Sequence, residues 1–167
     1  GCQLTIDAKV SGVLYTLDPT SPEREVIVIN AVWGLGAPLV SGQVPGDRYL
    51  LNRTPPHEVV GLNVRHKRSM LCPKESGGIK ERSVPEGLQM KPCLERDEML
   101  RLAEIALVSE RYFKKPQDIE WALDETNQFI ILQTRPLNLQ TQMAKLICNL
   151  SETVQEYPVI FRGKGNI

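Results

Sequence analysis

An α+β fold built on a mainly antiparallel sheet is predicted by three features of the sequence. Short β-rich segments fill the first half, one strongly amphipathic helix follows, and two strand-like segments flank a polar turn after it. The 167 residues suffice for one domain with a core, and 41% hydrophobic with 24% charged residues is ordinary for a globular chain. Twenty Lys and Arg balance twenty Asp and Glu. No overall field therefore favours nucleic acid or an anionic membrane, neither is expected as a partner, and any anion site must be local. No apolar run approaches the roughly 20 residues of a spanning helix, and residues 1–10 lack the basic and apolar regions of a signal peptide.

Taken in order, Val13 to Leu17 is a short apolar strand closed by the turn signal Asp18-Pro19. Glu25 to Ala31 contains Val26-Ile27-Val28-Ile29, a continuous β-branched run that predicts a strand buried on both faces. Gly34, Gly36 and Gly42 follow, ahead of a short helix. Arg48 to Arg53 is a further strand ended by Pro55-Pro56, with Glu58 to Val64 as its partner. Arg65 to Cys93 is punctuated by Pro73, Gly77-Gly78, Pro85, Gly87 and Pro92, and reads as a long loop or insertion with one short strand. Glu95 to Phe113 is a helix with Met99, Leu102, Ala103, Ala106 and Phe113 on one face and Leu107 beside them. Acidic residues crowd its first turn and Lys114-Lys115 follow its last, as the helix dipole favours, and Pro116 stops it. Glu95 is a poor N-cap by type. Asp118 to Ala122 and Phe129 to Thr134 form a hairpin around Asp124-Glu125-Thr126-Asn127, while Gln140 to Thr153 and Tyr157 to Arg162 read as a second helix and a final strand.

The cysteines, Cys2, Cys72, Cys93 and Cys148, form no Cys-x-x-Cys pair and stand far from His57 and His66. Free thiols in a reducing compartment, hence a cytoplasmic location, are expected. Both histidines read as surface residues, since a catalytic histidine needs an oriented partner.

The hairpin carries the chemistry. Period-two alternation puts Asp118 and Glu120 on one face of the first strand and Gln133 and Arg135 on one face of the second. An even-length turn would bring Glu120 and Gln133 together, and an odd one would separate them. If together, they form a patch with oxygen ligands of the kind Mg²⁺ prefers and a guanidinium for phosphate. The competing reading is an exposed hairpin with an ordinary Glu–Arg ion pair. Gly34 and Gly36 fit either an anion-binding turn or a turn that requires positive φ.

Four motifs then fall in order. These are Ser11-Gly12-Val13-Leu14-Tyr15-Thr16 with Asp18-Pro19, Ala31-Val32-Trp33-Gly34-Leu35-Gly36 with Leu39-Val40-Ser41-Gly42, Pro116-Gln117-Asp118-Ile119-Glu120-Trp121-Ala122, and Ile131-Leu132-Gln133-Thr134-Arg135-Pro136. Together, over roughly Val10 to Asn138, the chain resembles the ATP-grasp nucleotide-binding domain of phosphoenolpyruvate synthases and pyruvate phosphate dikinases. The resemblance implies an ATP-grasp-like lobe over residues 1–138, with 139–167 a helix and linker toward a phosphohistidine domain. It implies ATP and Mg²⁺ as cofactors, with Glu120 and Gln133 as metal ligands and Arg135 as the catalytic phosphate contact. Asp118 is a supporting acid, and Gly34 and Gly36 are nucleotide contacts. Its partners would be ATP and the phosphohistidine domain of a longer enzyme, a candidate homo-oligomer that moves phosphate from ATP through histidine to pyruvate. The sequence departs from the family pattern at Leu17, at Ala37-Pro38 and at Pro45-Gly46-Asp47. The resemblance places this chain as an excised middle piece without turnover of its own. The alternative is a non-catalytic module of this fold, used for nucleotide sensing or protein contact.

Overall fold

The computed structural model describes residues 6–139. The helix expected over Gln140–Thr153, the strand over Tyr157–Arg162, Cys2 and Cys148 lie outside the described residues. Six antiparallel strands form one sheet in the order β4-β3-β2-β1-β7-β8, and β5 and β6 pair as a separate ribbon. The strands are β1 Ala8–Tyr15, β2 Val26–Trp33, β3 Asp47–Asn52, β4 Val59–Asn63, β5 Ser69–Pro73, β6 Ile79–Ser83, β7 Gln117–Asp124 and β8 Phe129–Pro136. The helices are the short α1 Ala37–Val40 and α2 Glu86–Gln89, and the long α3 Arg96–Phe113. Among the described residues no helix is long and apolar enough to cross a membrane.

Alternation along the strands divides the sheet into two faces. Val10 and Leu14 of β1, Ile27, Ile29 and Ala31 of β2, Tyr49 and Leu51 of β3, and Ile119, Trp121 and Leu123 of β7 share one core with Met99, Leu102, Ala103 and Ala106 of α3. The β2 run Val26–Ile29 is buried on both faces, as its unbroken β-branched sequence predicts. The opposite face carries Tyr15, Asn30, Arg48, Asp118, Glu120, Gln133 and Arg135 by register.

Three expectations need correction. The segment from Arg65 to Cys93 holds two strands and a short helix instead of one strand. All five residues of β6 are exposed and three are charged, so the ribbon offers no alternation of apolar and polar residues to read. His57 is buried, with Nδ1 3.0 Å from the Asn52 carbonyl oxygen, because the turn at Thr54–His57 folds it back onto the end of β3. Phe113 is exposed and meets Tyr112 edge to face, because the buried stripe of α3 stops at Ala106. The weak cap at Glu95 is remedied from within the helix: the Glu98 carboxylate accepts the Glu95 amide at 2.7 Å.

The start of β3 holds a buried hub. Asp47 Oδ1 accepts from Lys67 Nζ at 2.7 Å and from the Arg65 amide at 2.8 Å, and Oδ2 accepts from the Cys93 amide at 2.9 Å and the Tyr49 hydroxyl at 3.3 Å. Lys67 Nζ also donates to the Arg65 carbonyl at 2.8 Å, and Tyr49 accepts the Leu94 amide at 3.1 Å. A carboxylate buried this completely is tolerated because its charge is matched and its lone pairs are filled. Burial, then the Asp47 charge, pushes the Cys93 thiol far up, so it stays protonated. At the opposite end of β3, Arg53 grips Glu110 of α3 through two nitrogens at 2.6 and 3.0 Å and donates to the Thr16 carbonyl, joining strand, helix and the end of β1.

Two outcomes follow from these pairs. Asp47→Ala strands the Lys67 ammonium in the interior and should destabilise the chain by about 3–5 kcal/mol. The double change Asp47→Ala with Lys67→Met should recover part of that loss in urea denaturation, and additive losses would disprove the coupling. Burial pushes the Glu110 carboxyl up, but hydrogen bonds with Arg53 and Thr16, together with the Arg53 charge, outweigh this and hold it below the ordinary 4.5. A depressed carboxyl stabilises the fold above its unfolded pKa and ceases to do so as pH falls through the folded value. Glu110→Gln should therefore lose less stability than the parent chain when urea midpoints at about pH 7 and about pH 3 are compared.

Candidate functional site

The hairpin β7–β8 brings its two pairs of polar residues onto one face. Glu120 lies directly opposite Gln133, and Asp118 directly opposite Arg135. The turn does not do this. Asp124 pairs with Gln128 around a three-residue loop with Asn127 at φ 59, and Asp124 Oδ1 fastens it by accepting from the amides of Thr126 and Gln128 and the Thr126 hydroxyl. Unbroken, that odd loop would leave Gln133 on the core face. A register shift between Glu120 and Trp121 adds one residue, Leu132, to β8 and turns Gln133 and Arg135 to the side of Glu120. The expectation tied convergence to an even turn; a β-bulge achieves it across an odd one.

Helix α3 steadies the hairpin. Arg101 donates to the Asn127 carbonyl at 3.0 Å and stacks 5.0 Å from the centre of the Phe129 ring, which meets Trp121 edge to face. Lys9 reaches the Asn127 side chain at 3.0 Å.

On the functional face, Arg135 Nε donates to Asp118 Oδ2 at 3.0 Å. This hydrogen bond, and then the carboxylate charge, raises the Arg135 pKa, so the group is permanently cationic. The Asp118 side chain is nearly buried, and among the described residues its Oδ1 has no hydrogen-bond partner. Tyr15 lies opposite Asp118 on β1. Burial first, and then the Asp118 charge, raise its phenol above the ordinary 10.0. Arg48 of β3 reaches the same area, with Nη2 3.3 Å from Oδ2 of buried Asp18. Burial pushes Asp18 up, but hydrogen bonds from the Thr20 amide and hydroxyl, with the Arg48 charge, bring it below the ordinary 3.8. Sequence reasoning missed Tyr15 and Arg48. Alternation from Ser11 through Val13 marks the face of Tyr15, whereas Arg48 requires the β2–β3 register.

A cleft of about 460 Å³ opens beside Glu120, lined mostly by apolar groups including Ala8, Leu35, Gly36, Val40, Ala122 and Leu132. The two glycines divide their roles here. Gly34 has φ 72, its amide donates to the Lys9 carbonyl at 3.0 Å, its carbonyl accepts the Ser11 hydroxyl, and the Leu35 amide is taken by Leu71. The expected anion contact at Gly34 gives way to a turn, because its N–H already has a partner. Gly36 lines the cleft. Among the described residues no cluster of three or more His, Cys, Asp or Glu side chains could hold a metal; the pair offered here is one carboxylate and one amide.

The sequence matches the family described as pyruvate phosphate dikinase, AMP/ATP-binding domain, over residues 1–153. The chain belongs to this family. It is 38% identical over 135 residues to a probable phosphoenolpyruvate synthase of Methanocaldococcus jannaschii, which covers 81% of this chain and 11% of that protein. It is 36% identical over 135 residues to a rifampicin phosphotransferase of a Streptomyces species, covering 81% of this chain and 15% of that protein. A phosphoenolpyruvate synthase of Pyrococcus furiosus is 30% identical over 171 residues, covering 98% of this chain and 20% of that protein. The chain thus spans between a tenth and a fifth of these relatives' length.

The division between the glycines is testable. A Cβ on Gly34 would sit 2.3 Å from the Leu71 carbonyl oxygen at a positive φ, whereas one on Gly36 would meet Ser11 Oγ at 3.1 Å. Gly34→Ala should cost about 1–3 kcal/mol or more, and Gly36→Ala under about 1 kcal/mol. Thermal melts of the two variants check this; equal losses would remove the distinction.

Proposed function

We propose that this chain is an ATP-grasp-type nucleotide-binding lobe of a phosphoenolpyruvate synthase-like dikinase. In that enzyme ATP phosphorylates a histidine on a further domain, which passes the phosphoryl group to pyruvate. The observation that carries the reading is the register of the hairpin: Glu120 opposite Gln133, with Asp118 and Arg135 in the adjoining row. Phosphoryl transfer asks for positioned charge rather than covalent help from protein, and this face supplies it.

The residues fit a hard divalent cation. Glu120 and Gln133 offer a carboxylate and an amide oxygen, and the buried Asp118 Oδ1, unpaired among the described residues, adds negative potential beside them. Glu120 and Gln133 would hold Mg²⁺, which would neutralise phosphate charge. Arg135 is held to one side by Asp118, leaving most of its N–H donors for a phosphoryl oxygen. The apolar cleft beside Glu120 suits a nucleotide base, with its phosphates toward the hairpin.

The chain should bind ATP in a Mg²⁺-dependent manner in isothermal titration. Glu120→Ala and Gln133→Ala should remove the Mg²⁺ dependence, and Arg135→Ala should weaken ATP by about tenfold or more. The isolated chain, given labelled ATP, Mg²⁺ and pyruvate, should yield neither phosphoenolpyruvate nor phosphohistidine. Unchanged ATP binding in Glu120→Ala, or robust turnover abolished by that change, would overturn the respective parts of this reading.

A further inference from the structure

Two features of the functional face lie outside the hairpin. Arg48 enters from β3, and Tyr15 from β1. Both belong to the face that bears Glu120: Tyr15 is opposite Asp118, and Arg48 is opposite Asn30, which is opposite Val13, which is opposite Glu120.

Arg48 and Arg135 are held alike. Each makes one hydrogen bond to an aspartate that is nearly or fully buried, Asp18 at 3.3 Å and Asp118 at 3.0 Å. Each keeps about half of its side chain exposed, 43% and 55%. A pair built only for stability would seat the fork of the guanidinium on both carboxylate oxygens, as Arg53 does on Glu110. These two arginines are instead tethered at one atom, with most donors unspent on protein. Their Cα atoms are four strands apart, about 19 Å at the usual strand spacing. Both tethers draw inward: Asp118 is on β7, and Asp18 follows the end of β1 by three residues. Tyr15 lies between them and carries a phenol that is a donor at neutral pH.

We propose that Arg48 and Tyr15 join Arg135 in a clamp for a polyphosphate chain, with a guanidinium at each end and the phenolic hydroxyl between. The ligand class is a linear polyphosphate long enough to meet both ends: a nucleoside triphosphate rather than a monophosphate. This rests on the nucleotide-binding reading above and names residues and a length selectivity that the reading does not require. Tethering by buried carboxylates lowers the entropy lost when the guanidinium groups are fixed on a ligand.

The test is isothermal titration of the chain with ATP, AMP and inorganic triphosphate, each with Mg²⁺. Arg48→Ala should weaken ATP and inorganic triphosphate by about tenfold or more and leave AMP nearly unchanged. Tyr15→Phe, which removes only the hydroxyl, should weaken the same two ligands by a smaller factor. Arg48→Gln keeps the stem over the sheet and should repeat the Arg48→Ala result, so a folding defect in the alanine variant, read by melting temperature, does not decide the matter. Wild-type affinity for triphosphate in Arg48→Gln overturns the clamp. So does an equal loss for AMP and ATP. If inorganic triphosphate binds in an Arg48-dependent way while ATP does not bind, the clamp stands and the nucleotide reading fails. Absence of binding by both ATP and triphosphate overturns both.

Discussion

A carboxylate with no exposed surface, that of Asp47, ties together three parts of the chain that lie far apart in sequence. It fixes the first residue of β3, takes the charge of Lys67 from the segment before the ribbon, and holds the Cys93 amide just ahead of α3. Tyr49, two residues along the same strand, extends the arrangement to Leu94. The start of α3 is held against the core face by this anchorage. The steadiness of the hairpin follows in turn, because Arg101 of α3 grips its tip. A buried charge is poor evidence of net stability, since apolar replacements often do as well. What Asp47 supplies is geometry: a fixed starting point for the helix that supports the hairpin from behind.

The functional face depends on a different constraint, the parity of β8. Side chains alternate with period two, so one residue more or fewer transfers a whole strand's side chains to the other face. The loop at Asp124–Gln128 fixes one parity and the bulge at Leu132 reverses it, which brings Glu120 and Gln133 together. The bulge also places Leu132 in the wall of the cleft beside Glu120. The irregularity in the ladder thus positions both a polar pair and an apolar surface.

Much of this was legible in the sequence where burial leaves a pattern. The unbroken run Val26–Ile29, the stripe from Met99 to Ala106 and the strand β7 each stand where their apolar pattern indicates. The ribbon β5–β6 did not, because Lys80, Glu81 and Arg82 face solvent and leave no period. The bulge did not either, since Ile131-Leu132 reads as ordinary strand and the extra residue is visible only against its partner. Asp47 looked like part of a departure from the family pattern at Pro45-Gly46-Asp47; three of its donors, Arg65, Lys67 and Cys93, lie more than fifteen residues along the chain, out of reach of local reading. Glu120, Gln133, Asp118 and Arg135 were recognisable as a set, whereas Arg48 joins them only through strand pairing.

The passage from Arg65 to Cys93 has the composition of a dispensable insertion, yet both of its ends are bolted to the same interior carboxylate. A change of length in this passage is therefore best accommodated at the ribbon's tip. Gly77 and Gly78, at φ 86 and 82, close an exposed turn where even an added Cβ would meet no neighbour within 4 Å, so a shorter or longer connection there should spare the core. A truncation reaching back to Lys67, or forward to Cys93, would instead leave an anion sealed in the interior without its counterion or its backbone donor. For anyone splicing this chain with a relative, the crossover points belong outside residues 65–94, or within the few residues at the ribbon's tip.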